Sequence, residues 1–80
     1  MANKSLLRDR VVGTSDPLLF GVVRDNGGDE YRWILKRRPD PNGPDRFDPP
    51  TIVDTDVRRG SSEAFRSLYR AIAHQGELAA

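Results

Sequence analysis

Residues 18–38 read LLFGVVRDNGGDEYRWILKRR, and this stretch decides the fold. Two runs of β-compatible residues, 18–24 and 31–38, flank Asp25, Asn26, Gly27, Gly28 and Asp29. Asn-Gly and Gly-Gly supply the positive φ angles that tight hairpin turns need, so the stretch predicts a β-hairpin. Side chains alternate along a strand. Tyr31, Trp33, Leu35 and Arg37 therefore share one face of the second strand, and Arg32, Ile34, Lys36 and Arg38 share the other. The first strand is apolar on both sides: Leu18, Phe20 and Val22 on one, Leu19, Gly21 and Val23 on the other. That pattern suits a central position in a sheet.

Upstream, residues 1–17 read as an arm. An extra strand through Val11 and Val12 would end at a turn over residues 13–17, and Pro17 prevents a helix from running into Leu18. Downstream, residues 39–50 carry Pro39, Pro41, Pro44, Pro49 and Pro50, five of the six prolines in the chain. No regular strand or helix tolerates that density. Phe47 is the one large apolar side chain in this loop and is expected to pin it to the body.

Residues 51–57 alternate partly, with Thr51, Val53, Thr55 and Val57 against Ile52, Asp54 and Asp56, and predict a strand solvated on its Asp face. Ser61 or Ser62 then reads as the N-cap of a helix ending near His74 or Gln75, with Gly76 as its stop. Phe65, Leu68, Tyr69 and Ile72 fall at i, i+3, i+4 and i+7 and predict its apolar stripe.

The fold class that follows is α+β. A small, mainly antiparallel sheet of three strands, or four if the N-terminal strand forms, has one C-terminal helix on one face. Residues 18–76 make the domain and residues 77–80 a tail.

The composition narrows the function classes. An 80-residue chain makes one domain. Thirteen Lys and Arg against twelve Asp and Glu give a net charge of +1, which disfavours bulk electrostatic binding. The exception is local: residues 31–46 hold five basic and two acidic side chains, a net +3. The absence of Cys removes disulfides, thiolate metal sites and Cys nucleophiles, and makes a cytoplasmic site the better expectation. No apolar run approaches the ~18 residues of a membrane span. The Arg, Asp and Pro usage has a bacterial or phage character.

No catalytic constellation stands out. The serines lack a Gly-x-Ser-x-Gly setting. Gly27-Gly28 is followed by neither a helix nor Gly-Lys-Ser/Thr, so it is a turn rather than a phosphate loop. Asp40, Asn42 and Asp45 superficially imitate a calcium loop, but Pro44 stands at a ligand position and no Glu completes the ring. Asp54 and Asp56 share a strand face and are expected to pair with Arg58 or with hairpin cations. His74 has no second ligand nearby. No cofactor and no metal are expected.

Two functional readings remain. The first is a small non-enzymatic protein-binding module that regulates or inhibits a larger assembly by steric occlusion. Its candidate contacts are Arg37, Arg38, Arg46, Phe47, Arg66 and Arg70. It rests on small size, an unpaired sheet edge and a Pro-rich loop that loses little entropy on docking. The second is nucleic-acid binding through the segment 31–46 and Arg58/Arg59, with Arg32, Lys36, Arg38, Arg58 and Arg59 on phosphates. Against it, Trp33 projects away from Arg32, Lys36 and Arg38, so base stacking and charge neutralisation would not share a face. The plain alternative for both sets is an ordinary solvated surface of mixed charge. Self-association is a further option for a domain this small.

Overall fold

The computed structural model describes residues 9–75. Four strands and one helix follow in order: β1 (Arg10–Gly13), β2 (Leu19–Gly27), β3 (Glu30–Arg37), β4 (Thr51–Arg59) and α1 (Ser61–His74). The strands form a single sheet in the order β1-β2-β3-β4, with every neighbour antiparallel. This is the expected α+β architecture, with the fourth strand through Val11 and Val12 present.

The hairpin closes with Gly28 and Asp29 at its tip. Both have positive φ (63° and 67°), the backbone that matches the right-handed twist of paired strands. Just before the tip the ladder slips by one residue. Asp25 faces Tyr31 and Gly27 faces Glu30, which leaves Asn26 without an opposite number. The Asp25 carboxylate accepts the Gly27 N–H at 2.8 Å, and Gly27 takes φ 91°, a backbone that glycine adopts at no steric cost.

This bulge sets which side of β2 meets the helix. Val22 faces Ile34 and Phe20 faces Lys36, so Leu19, Gly21 and Val23 share a face with Tyr31, Trp33 and Leu35. Helix α1 packs on that face. Leu19, Val23, Trp33, Leu35, Ala64, Leu68, Ala71 and Ile72 form one buried core, with Val12, Tyr31 and Phe65 against its margin. Leu68 lies directly over Gly21, where an ideal Cβ would stand 2.7 Å from its Cδ2. Gly21 is therefore what lets α1 sit this close to the sheet.

Four local readings need correction. The helix is capped by Gly60, not by Ser61 or Ser62, and no side chain bonds its free N–H groups. Gly60 has φ 87°, and its own N–H donates to the Asp29 carbonyl at 2.7 Å, so the turn into the helix is tied to the hairpin tip. The apolar stripe is rotated: Ala64, Leu68, Ala71 and Ile72 are buried, whereas Tyr69 is 45% exposed. Small alanines permit the close approach over Gly21, and Tyr69 is displaced to the flank. In β4 a second bulge falls at Val53, because Leu35 faces Asp54 but Lys36 faces Ile52. Ile52 thus leaves the face of Asp54 and Asp56 for the opposite one, and the two aspartates sit on the helix side, beside α1. The fourth concerns Phe47. It does not pin the loop; it is 87% exposed.

Gly76 and the tail lie outside the described residues. The last helical N–H groups are followed by Gln75, whose N–H donates to the Ile72 carbonyl at 2.9 Å. No helix is long and apolar enough to cross a membrane among the described residues.

Candidate binding surfaces

Three regions gather the side chains singled out above. The first is the Pro-rich loop, residues 39–50, at the end of the sheet where β3 leaves and β4 begins. Pro locks φ and its density prevents regular structure, yet the loop is tightly organised. The Gly43 N–H donates to the Asp40 carbonyl (3.0 Å), the Arg46 N–H to the Gly43 carbonyl (3.3 Å) and the Asp48 N–H to the Asp45 carbonyl (2.9 Å). The Asp40 carboxylate accepts the Asn42 N–H at 2.9 Å, an Asx-type turn. Three successive turns thus present Phe47, with the Arg46 guanidinium 4.8 Å from its ring centre. Two adjoining recesses of about 420 and 320 Å³ open between the loop, Leu18 and Arg38.

Arg37 borders this end of the molecule but is committed elsewhere. Its Nη1 lies 2.9 Å from Asp16 Oδ2. Asp16 also accepts the Leu18 N–H at 2.9 Å. That backbone hydrogen bond, and then the one from Arg37, hold the Asp16 carboxyl below its ordinary value of 3.8. The structure therefore brings Arg37, Arg38, Arg46 and Phe47 to one end. It does not bring Arg66 and Arg70 there: both are on α1, where Arg66 pairs with Glu63 at 3.2 Å.

The second region is a shallow groove between β4 and α1, about 200 Å³, floored by Trp33. Asp54, Asp56 and Arg58 line it from the sheet and Ser67, Arg70 and His74 from the helix. Arg58 pairs with Asp56 at 3.0 Å, as the sequence pattern anticipated, and its Nε lies 3.4 Å from Ser67 Oγ, whereas Asp54 accepts the Thr55 N–H at 2.8 Å. Charges of both signs alternate here, so the groove selects neither anions nor cations. The buried Trp33 Nε1–H has no hydrogen-bond partner among the described residues. No group of three metal-ligating side chains occurs among the described residues.

The third region is the sheet face away from α1. Register places Val11, Phe20, Val22, Arg24, Arg32, Ile34, Lys36, Ile52, Thr55 and Val57 on it, with Arg59 opposite Glu30 at the hairpin end. Arg38 follows on the same side, its guanidinium 3.9 Å from the centre of the Phe20 ring. Arg58 is not here; it belongs to the groove. Trp33 points to the core, as its alternation required. Phe20 is what the sequence reading missed. It supplies the aromatic ring on the cationic face, and Arg24 adds a further cation. Alternation placed Phe20 with Val22 correctly; only the bulge at Asn26 assigns that pair to the side of Lys36 and Arg32. Arg24 bonds Asp9 at 3.0 Å, which pushes its pKa further up.

No family model, no curated protein and no solved structure matches the chain.

Proposed function

We propose that this chain is a small non-enzymatic protein-binding module, acting at a cytoplasmic site, whose Pro-rich loop seats Phe47 in an apolar pocket of a larger protein. Bound there, it would regulate or inhibit that protein by occluding its surface. One observation carries the reading: a phenylalanine that is 87% exposed stands on a loop already held by its own turns. Exposed aromatic anchors dominate binding energetics when they enter a desolvated pocket. Ordering a loop on binding is a large part of the cost of association, and here five prolines and the turn hydrogen bonds have already ordered it.

Charge plays a secondary part. With Arg37 paired to Asp16, the loop end carries Arg38 and Arg46 against Asp40, Asp45 and Asp48, a net charge of only −1. The complementary surface is therefore an apolar pocket with a polar rim rather than an acidic patch.

The test is quantitative affinity capture from extracts of the native host with the wild-type chain and with Phe47→Ala. A protein retained by the wild type and lost from the variant is the expected result. An identical retained set would refute the role of Phe47. Sedimentation of both proteins separates self-association, which would show as a wild-type dimer that the substitution dissociates.

A further inference from the structure

We infer that the sheet face away from α1 is a second, separate surface, and that its ligand is single-stranded nucleic acid. The inference goes beyond the loop reading and does not depend on it.

The first support is charge. Arg24, Arg32, Lys36, Arg38 and Arg59 project on this side, against Glu30 at its far end and the Asp9 carboxylate beside Arg24. Arg24 and Arg32 stand directly opposite each other on β2 and β3. Asp9 compensates Arg24 in this like-charged pair, and Arg32 is left as its open cation. Arg32, Lys36 and Arg38 have no acidic partner among the described residues; Arg32 reaches only the Thr55 hydroxyl, at 3.5 Å.

Phe20 and Arg38 supply the second. Their stack offers an aromatic ring and a planar guanidinium on the same face as the cations. Bases stack on both kinds of plane, and a single strand has unpaired bases to offer.

A third observation favours a polyanion over an amphipathic protein segment. Val22 and Ile34, at the centre of this face, are only 8% and 7% exposed. No helix or strand lies over them among the described residues. The open apolar surface of this face is thus confined to Val11 and Ile52 on its two edge strands, 68% and 61% exposed, and its centre, among the cations, leaves a protein partner little to bury.

The experiment is a fluorescence-anisotropy titration of the full chain with labelled dT12 and U12 at 50 and 200 mM salt. Each phosphate neutralised on a single strand contributes about −0.7 to the slope of log K against log salt. Arg32, Lys36 and Arg38 have no carboxylate bonded to them or opposite them in register, unlike Arg24 and Arg59, and these three give a slope of about −2, so affinity should fall roughly 20-fold between the two salts. The double variant Arg32→Gln/Lys36→Gln should retain a slope of about −0.7 and a fall of about threefold. Arg66→Gln, a single charge removed from the helix, should leave the slope as in the wild type. Phe20→Leu should weaken binding about tenfold at unchanged slope. Circular dichroism of each variant shows whether it is folded. No binding at 50 mM salt, or a slope unmoved by the double variant, would overturn the inference. So would a 12-base-pair duplex bound as tightly as the single strand, or binding to phosphatidylserine vesicles but not to oligonucleotides.

Discussion

Replacing Gly21 by Ala should destabilise the domain through a single contact. An ideal Cβ at this position lies 2.7 Å from Leu68 Cδ2, 2.8 Å from Cδ1 and 3.2 Å from Cγ. Carbon atoms pack best at about 3.5–4.0 Å, so Leu68 must retreat by about 1 Å. It has nowhere to go, because it is completely buried among Leu19, Leu35 and Ile72. Overpacking of this kind costs about 1–3 kcal/mol. Against that, Ala gains about 0.5–1 kcal/mol over Gly within a strand by losing less freedom on folding. The net expected loss is about 1–1.5 kcal/mol, which for a domain of this size lowers Tm by roughly 4–12 °C. Urea denaturation followed by circular dichroism measures it. Leu68→Val in the same background supplies the control. Shortening the opposing side chain should cost about 1 kcal/mol less in the Gly21→Ala variant than in the wild type, a coupling within the range for residues in contact. A variant as stable as the wild type, or strictly additive effects, would show that α1 does not rest on Gly21 as described.

Gly60→Ala should cost about 1–3 kcal/mol, because the φ of 87° is unfavourable for an L-residue. Nothing lies within 4 Å of the added Cβ, so the cost is backbone strain rather than a clash, and thermal unfolding followed by circular dichroism measures it. Phe47→Ala should change unfolding free energy by no more than about 0.5 kcal/mol, since the ring buries almost nothing, and urea titration checks this. Asp16 has a folded-state pKa below the ordinary 3.8. Its stabilising effect is therefore complete at pH values above that figure and is lost as pH falls through the lowered value. Asp16→Asn should flatten the acid limb of the stability profile, and a carboxyl resonance of Asp16 titrating at or above 3.8 in NMR would refute the Leu18 and Arg37 contacts as its cause.

Much of this molecule is legible along the chain. A turn within residues 25–29, the strands on either side, the proline-dense loop, the strand at 51–57 and the helix to His74 all follow from local chemistry: positive φ demand, alternation, ring constraints and helical periodicity. The membership of each face of the two hairpin strands follows too, though not that of β4, where the bulge at Val53 parts Ile52 from Asp54 and Asp56. Tyr31, Trp33 and Leu35 do share a side, as do Arg32, Ile34 and Lys36. What alternation cannot supply is which face of one strand meets which face of the next. A shift of one residue turns every side chain of a strand over, and this sheet contains two such shifts, at Asn26 and at Val53. Without the first, Phe20 would lie with Trp33 beneath the helix, and the cationic face would have no ring.

Packing decided the remaining points. Leu68 needs the empty space above Gly21, so the helix rotates onto its alanines and leaves Tyr69 at the flank. Phe47 could be located in a loop from its neighbours in sequence, but only the turns of residues 40–48 determine that it faces solvent rather than the core. The sequence by itself therefore determined the elements and their local chemistry, because these depend on neighbours along the chain. Tertiary structure decided which side chains share a surface, because that depends on register and packing between segments far apart in the chain.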